Sequence, residues 1–315
     1  RELVEVGVEQ GLDDHARHYA LAGGSGSAGR WGLFMVCGGR RGWGGGLWVV
    51  DLSASRLTPL LQRWACIRAS TDGRALSRLL FRPSIEAAED RVTDSRLAFV
   101  FPGQGSQSIA MLAELAELHP QIRETFAEAS EGAGVDLWAL SQGGPEEQLN
   151  RTEFTQPALL AASIAVWRLW NAQGGAKPAV LAGHSLGEYT ALVAAGALTL
   201  HDGAHLVRLR GQLMQDAAPT GVGAMAAVLG AEDALVLEVC AEAAGSQVVV
   251  PANFNSPGQI VIGGDAAAVD RALALLAEKG VRKAVKLAVS VPSHTPLMRE
   301  AANRLAAVMN GLAWQ

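Results

Sequence analysis

The sequence predicts an α/β protein in which a hydrolase-like parallel-sheet domain is interrupted by an inserted ferredoxin-like subdomain. Between residues 97 and 217, short apolar runs alternate with longer segments of helical period, which is typical of a parallel sheet covered by helices. Between residues 223 and 289 the order becomes strand, helix, strand, strand, helix, strand, the ferredoxin-like order. A serine on a glycine-flanked turn, Ser185, falls within the first of these patterns.

The larger domain is predicted to begin with a buried strand at 97–101, followed by a glycine-rich turn at 102–107. The remaining elements of this part are a strand at 179–182 and helices at 111–129, 157–173, 188–195 and 201–217. In the smaller domain we predict strands at 223–229, 248–252, 259–263 and 284–289, and helices at 233–244 and 266–280.

The first 95 residues differ from the rest of the chain. Residues 1–50 hold 13 of the 36 glycines, and the first 95 residues contain twelve arginines and no lysine. No clear period is visible before Leu57, although 57–67 and 74–81 fit amphipathic helices. We therefore expect a poorly ordered extension at 1–95, a large subdomain at 96–220 and 290–315, and a small subdomain at 221–289.

Composition excludes several classes of function. A net charge of −5 and a pI of about 5.8 argue against a nucleic-acid binder, which needs a basic face. The three cysteines, Cys37, Cys66 and Cys240, fit neither a disulfide framework nor a zinc site, so we expect a cytoplasmic protein. The longest apolar run, 158–167, is too short to span a bilayer. We expect a monomer that binds neither metal nor membrane.

The segment GHSLGE at 183–188 follows an apolar run and predicts a nucleophile elbow, a strand–turn–helix unit that presents a serine. Gly183 and Gly187 flank Ser185 at two residues on either side, where side chains would clash with the neighbouring strand and helix. The positive end of the helix that follows favours attack by Ser185 on a carbonyl carbon. An ordinary glycine turn with an incidental serine is the alternative.

A serine nucleophile needs a base, and among the seven histidines His294 is the candidate for this role. His294 follows the last predicted strand of the small domain, in a loop of the kind that carries catalytic groups; an ordinary surface histidine is the alternative. His184 adjoins the serine and is expected to pack beneath the turn. His201 and His205 have metal-ligand spacing on a helix, but no further ligand completes a site, so we expect them on the surface.

An oxyanion hole and a carboxylate-binding cation are the other expected parts of the site. The backbone N–H of Leu186 directly follows the nucleophile, and a second donor is expected from the glycine-rich turn at 103–105. Of Arg208 and Arg210, one is expected to face the site and bind a substrate carboxylate. A tight turn and a surface arginine are the alternatives.

From about Leu97 onward the chain resembles the malonyl-CoA:acyl-carrier-protein transacylases of bacterial fatty-acid synthesis. The resemblance covers some 220 of the 315 residues. Six motifs in the same order carry it: FPGQGSQ at 101–107, GHSLGEY at 183–189, RG at 210–211, GAMAA at 223–227, NFNSPGQ at 253–259 and VSVPSH at 289–294.

The resemblance implies a ping-pong transfer with no bound cofactor and with malonyl-CoA as substrate. Ser185 takes the malonyl group from coenzyme A with His294 as general base, and then passes it to the phosphopantetheine thiol of acyl carrier protein. Arg210 pairs with the malonyl carboxylate, and the N–H groups of Gln104 and Leu186 form the oxyanion hole. In this family a backbone carbonyl, rather than an aspartate, orients the imidazole.

The resemblance also implies two departures. The family's domain continues beyond Gln315 with a glutamine-containing loop that orients the histidine, so we expect a C-terminally truncated chain. The first 95 residues have no counterpart in the stand-alone enzyme.

A basic patch, Lys279, Arg282, Lys283 and Lys286, is expected to dock the acidic carrier protein, with a solvated helix end and edge strand as the alternative.

Four other functions remain open from the residues: a serine esterase, a patatin-like lipase, the acyltransferase domain of a polyketide synthase, and an inactive fragment. Arg210 discriminates against the esterase and the lipase, because a neutral ester offers no carboxylate to pair. VPSH at 291–294 is closer to the fatty-acid enzyme than to the polyketide one.

Overall fold

The computed structural model describes residues 93–315 except 220, 288 and 290, together with the backbone of four earlier strands. These strands are β1 (Gly7–Gln10), β2 (Arg17–Ala20), β3 (Trp31–Cys37) and β4 (Gly46–Leu52). The described part forms two compact units, one built mainly on 93–207 and the other mainly on 208–313. The two helices predicted at 57–67 and 74–81 lie outside the described residues, as does much of the extension expected at 1–95.

Strands and helices alternate in the first unit. Its elements after β4 are β5 (Thr93–Phe101), α1 (Ala113–Leu118), α2 (Gln121–Ala133), α3 (Leu137–Gly143), α4 (Glu146–Leu149), α5 (Thr152–Ala172), β6 (Lys177–Gly183), α6 (Leu186–Ala194) and the start of α7 (Leu200–Ala217). Helices α3 and α4 have no counterpart in the sequence prediction.

The main sheet has the strand order β4-β3-β5-β6. Strand β5 pairs in parallel with β3 and with β6, as predicted for a parallel sheet, but β3 pairs antiparallel with β4. Strands β1 to β4 lie within the extension expected at 1–95, where the sequence shows no clear period before Leu57. Continuous apolar runs such as 33–36 carry no alternating period, and pairing with a distant strand, rather than local pattern, makes them strands.

Two helix predictions are corrected by prolines. The helix predicted at 111–129 is two helices, because Pro120 lacks a backbone N–H and its ring disfavours a continuing turn. Conversely, the helix predicted to begin at Pro157 begins at Thr152 and carries Pro157 inside it. Helix α5 is buried on nearly every side, so packing outweighs the single lost hydrogen bond.

Strand β5 is held against the helices by aromatic packing. Phe99 lies 5.0 Å from Trp167 edge-to-face and 5.4 Å from Trp170, measured between ring centroids. Phe101, the last residue of β5, is 3% exposed. This packing fixes the end of β5 from which the glycine-rich turn departs.

The second unit contains β7 (Gly223–Leu229), α8 (Asp233–Ala244), β8 (Val249–Ser256), β9 (Gln259–Asp265), α9 (Ala266–Glu278), β10 (Lys283–Lys286), a 3-10 turn (Pro296–Met298) and α10 (Arg299–Met309). Its sheet is antiparallel throughout, in the order β10-β7-β9-β8. Val236 of α8 and Val269 of α9 are buried in one core with Ile262 of the sheet. The strand predicted to reach Val289 ends at Lys286, and α10 was not predicted.

The molecule is thus a mixed α/β protein with one predominantly parallel and one antiparallel sheet. Among its described helices none is both long and apolar enough to cross a bilayer.

Candidate active site

Ser185 lies on a sharp turn between β6 and α6 and is the N-cap residue of that helix. Its φ of 53° and ψ of −108° are unusual for a residue with a side chain. This turn geometry is typical of a nucleophile elbow, in which a sharp turn between strand and helix exposes the serine Oγ. Ser185 Oγ is therefore presented at the positive end of α6, where negative charge is stabilised.

Both glycines of the elbow are required by the closeness of the surrounding backbone. An ideal Cβ at Gly183 would lie 1.9 Å from the carbonyl carbon of Gly187. A Cβ at Gly187 would lie 2.1 Å from the carbonyl oxygen of Phe101. The clash predicted from the sequence is therefore present at both positions, with the helix in one case and with the neighbouring strand in the other.

The glycine-rich turn at 102–107 lies directly beside the elbow. A Cβ at Gly103 would lie 2.8 Å from Nδ1 of His184, and the His184 N–H donates to the Phe101 carbonyl at 3.0 Å. The His184 ring thus faces the turn. The backbone N–H groups of Gln104 and Leu186 donate no hydrogen bond to any residue in the described part of the chain. Two segments that carry uncommitted donors are thereby brought together around Ser185.

Arg210 and His294 belong to the second unit. Arg210 is half-buried on α7, as is Arg208. His294 is exposed and has a positive φ of 58°. Its loop is fixed within this unit, because the Thr295 hydroxyl donates to the Pro292 carbonyl at 2.7 Å.

The loop that carries His294 also packs on the helix that carries Arg210. Val291 and Met298 flank His294 and are buried in one cluster with Met214 and Ala218 at the end of α7. The base and the cation predicted from the sequence are therefore presented by two neighbouring elements of the second unit. Ser185, Gln104 and Leu186 lie in the first unit.

The other histidines on α7 behave as surface residues. His201 and His205 are both exposed, and no group of three or more candidate metal ligands occurs among the described residues. Asp202 lies between them and accepts a hydrogen bond from the Thr199 hydroxyl at 2.8 Å. This bond lowers the pKa of the Asp202 carboxyl below its ordinary value.

The four cations predicted to form a docking patch are not equivalent. Lys279 Nζ lies 2.9 Å from Glu238 Oε1, and Lys286 Nζ lies 2.8 Å from Asp270 Oδ1. Arg282 and Lys283 are exposed and make no ion pair with any described residue.

Sequence reasoning missed the side chains that hold the glycine-rich turn. Gln104 Oε1 accepts from the Thr152 hydroxyl at 2.9 Å, and Gln107 Nε2 donates to Asn150 Oδ1 at 2.8 Å. The partners of the two glutamines are more than 40 residues away in the chain, so no local pattern reveals them. The only sign of these hydrogen bonds in the sequence was the presence of two glutamines, which can each donate and accept, in the motif GQGSQ.

Comparisons with known proteins agree with this geometry. The acyl transferase domain family matches residues 98–314. The malonyl CoA-acyl carrier protein transacylase of Salmonella typhimurium is 57% identical over 212 residues, which make up 67% of this chain and 69% of that protein. The solved malonyl-CoA:acyl carrier protein transacylase from Xanthomonas oryzae pv. oryzae is 87% identical, with a TM-score of 0.71 and coverage of 71% of each chain.

A further solved structure is a complex of a type II polyketide-synthase acyl-carrier protein with its malonyl-transacylase. It is 54% identical, with a TM-score of 0.68, and the match covers 69% of this chain and 71% of that one. An elbow serine, an adjacent glycine-rich turn and these similarities lead to one conclusion: the chain belongs to the acyl transferase family and, within it, to the malonyl-CoA:acyl-carrier-protein transacylases.

Proposed function

We propose that this chain transfers a malonyl group from coenzyme A to the phosphopantetheine thiol of acyl carrier protein through a malonyl-Ser185 intermediate. It is an acyltransferase of the S-malonyltransferase type, with malonyl-CoA as substrate. The single observation that carries the proposal is the strained Ser185 turn packed against the glycine-rich turn, with one uncommitted N–H donor on each side, Leu186 after the serine and Gln104 in the glycine-rich turn.

In the first half-reaction, His294 takes the proton of Ser185 Oγ as the oxygen attacks the thioester carbonyl carbon. The negative charge that develops on the carbonyl oxygen is stabilised by the N–H groups of Gln104 and Leu186 and by the N-terminus of α6. The C–S bond then breaks, and coenzyme A leaves as a thiol with the proton that His294 received.

The second half-reaction reverses these steps with a different thiol. His294 takes the proton of the phosphopantetheine thiol, and the sulfur attacks the malonyl-serine carbonyl through the same oxyanion hole. The C–Oγ bond breaks, and His294 returns the proton to Ser185. One thioester is exchanged for another, so no external energy source is needed.

Arg210 is proposed to bind the free carboxylate of the malonyl group. Its planar guanidinium matches a carboxylate with two parallel hydrogen bonds. Its half-buried position on α7 supports this role, because partial removal from water strengthens such a pair. A serine esterase or lipase acts on a neutral ester, which offers no carboxylate for this cation to bind.

We propose that the basic patch docks the acidic carrier protein, chiefly through Arg282 and Lys283. Lys279 and Lys286 are already paired with carboxylates of this chain, which leaves them less charge to offer a partner. Lys283 lies on the edge strand β10 beside Val285, which is 62% exposed. Exposed charges of this kind steer association more than they add affinity.

Several finer assignments are proposed with the function. The large subdomain, 96–220 and 290–315, is hydrolase-like, and the small subdomain, 221–289, is ferredoxin-like. The order β10-β7-β9-β8 supports the latter, with two helices packed on one face of the sheet. A cytoplasmic monomer is proposed as well, supported by the free thiol of Cys240 and by the presence of all five proposed site residues in one chain.

Intact-protein mass spectrometry after brief incubation with malonyl-CoA tests the proposal. We expect the mass of one malonyl group to be added to the unmutated chain and not to Ser185→Ala. Subsequent addition of phosphopantetheinylated acyl carrier protein should remove the label. A malonylated Ser185→Ala variant would refute the nucleophile, and an unlabelled wild-type chain would mean that these residues alone do not assemble an active site.

The carrier protein of polyketide synthesis is a second candidate acceptor, since a related transacylase is solved in complex with one. Parallel reactions with a fatty-acid and a polyketide carrier compare the two. Faster removal of the label by the fatty-acid carrier is expected.

A further inference from the structure

The glycine-rich turn is attached to helix α5 by a short chain of two hydrogen bonds, one buried and one partly buried. Gln156 Nε2 donates to the Thr152 hydroxyl oxygen at 2.9 Å, and that hydroxyl donates to Gln104 Oε1 at 2.9 Å. Gln156 is 0% exposed and Thr152 is 5% exposed. A hydroxyl that accepts one bond and donates the next is polarised by both, which strengthens the chain.

A second attachment holds the other side of the same turn. Gln107 Oε1 accepts from the Gly105 N–H at 2.8 Å, while Gln107 Nε2 donates to Asn150 Oδ1 at 2.8 Å. Asn150 and Thr152 lie two residues apart where α5 begins. The turn is thereby tied at two points, on either side of Gly105, to the junction of α4 and α5: to the C-cap residue of α4 and to the first residue of α5.

We infer that Thr152 and Gln156 are positioning residues that aim the Gln104 N–H at the reacting oxygen. This inference rests on the proposed function, in which that N–H is an oxyanion-hole donor. Gln104 donates no backbone hydrogen bond within the described part of the chain, so the turn itself does not fix the direction of its N–H. The side-chain bond to Thr152 supplies that constraint, because it restricts rotation of the peptide group next to it.

The arrangement distinguishes this role from ordinary helix stabilisation. Thr155 is on the same helix and is also fully buried, but its hydroxyl donates to the Leu149 carbonyl at 2.6 Å and to the Arg151 carbonyl at 3.1 Å, not to the turn. Removal of the Thr155 hydroxyl therefore affects the start of α5 without affecting the Gln104 anchor. It is a matched control for Thr152.

The test compares Thr152→Val, Thr152→Ser and Thr155→Val by rapid-quench measurement of malonyl-Ser185 formation. For Thr152→Val we expect the acylation rate constant to fall about tenfold with little change in KM, a fraction of the ~10²–10³-fold cost of losing a whole oxyanion donor. Thr152→Ser restores the hydroxyl and should restore most of the rate. Thr155→Val should lower the melting temperature. Its acylation rate constant at 25 °C should stay within about twofold of the wild-type value, which corresponds to a change of less than about 0.5 kcal/mol in activation free energy.

Hydrogen–deuterium exchange of the 102–108 peptide is the second measurement, and it does not depend on activity. Faster exchange there in Thr152→Val, but not in Thr155→Val, is expected. Unchanged exchange in Thr152→Val, or equal rate losses in Thr152→Val and either comparison variant, would overturn the inference. If the wild-type chain forms no malonyl-Ser185, the proposed function fails, and exchange alone decides whether Thr152 anchors the turn.

Discussion

The α-carbon of Gly187 faces the carbonyl oxygen of Phe101 so closely that a Cβ at 187 would lie 2.1 Å from that oxygen. The contact joins the first turn of α6 to the end of β5. It holds the Ser185 turn and the glycine-rich turn next to each other, and it leaves no room at 187 for any residue but glycine.

Gly187→Ala should therefore destabilise the first unit and abolish acylation. Relief of the clash requires movement of backbone, and we expect a cost of about 3 kcal/mol or more in the free energy of unfolding. Chemical denaturation and malonyl labelling measure the two effects. Gly196→Ala is the comparison, since its φ of 77° is also positive but no atom lies within 4 Å of its Cβ. Equal loss of labelling in both variants would contradict a steric origin.

Arg210→Ala should impair use of malonyl-CoA far more than use of acetyl-CoA. Only the malonyl group has a carboxylate to pair, and loss of a desolvated ion pair costs about 2–4 kcal/mol. The ratio of kcat/KM for malonyl-CoA to that for acetyl-CoA should fall by about 30-fold to 1000-fold. Equal losses with both thioesters would refute the carboxylate role.

Arg282→Ala/Lys283→Ala should raise KM for acyl carrier protein without slowing acylation by malonyl-CoA. An exposed charge contributes up to about 1 kcal/mol, so we expect a three- to tenfold effect that shrinks as salt is added. Lys279→Ala/Lys286→Ala should have a smaller effect on this KM, because both lysines already pair with carboxylates of this chain. The patch is excluded as a docking site if neither double variant changes KM.

The start of α7 should contribute stability that depends on pH. The Thr199 hydroxyl accepts from the Asp202 N–H at 3.0 Å and donates to the Asp202 carboxylate, which lowers the pKa of that carboxyl. A lowered carboxyl pKa stabilises the fold above the unfolded value, near 3.8, and this stability is lost as the pH falls through the folded value.

Thr199→Ala should therefore cost about 1 kcal/mol in unfolding free energy at pH 7. Asp202→Asn should be less stable than wild type at pH 7, with a difference that decreases below pH 4. Urea unfolding at several pH values measures both variants. A difference that is constant from pH 7 to pH 3 would show that the carboxylate charge has no part in the cap.

Cys240 should resist alkylation in the native protein. Its side chain is 2% exposed, and burial raises the pKa of the thiol to about 11, so little thiolate is present at pH 8. Peptide mapping after iodoacetamide treatment should find this site unmodified until urea unfolds α8. Rapid native modification would mean that α8 opens readily.

The elbow was predictable because its determinants are local. Gly183 and Gly187 lie two residues from Ser185, and the clashes that exclude side chains there involve the adjoining strand and helix. Strand β7 and helix α8 were also predicted at their observed bounds, since each is a largely apolar segment that a glycine directly follows, Gly230 in one case and Gly245 in the other. The break at Pro120 was missed because a continuous helical period ran across it.

The strands before residue 57 were not predictable in the same way. Strand β3 exists through its pairing with β4 and β5, and β5 follows it by more than 50 residues. An apolar run without alternation fits either a buried strand or a buried helix segment, and for β3 the pairing with distant strands decides between the two.

The sequence by itself determined the elbow that carries Ser185, the glycines around it and the family, because these depend on residue types at short, fixed spacing. The tertiary structure decided what holds the turn of Gln104, since Thr152 is 48 residues away in the chain. It also decided which lysines are already paired and which cations remain available. Hydrogen bonds and ion pairs act only over a few ångströms, so they are settled by which distant segments the fold brings into contact.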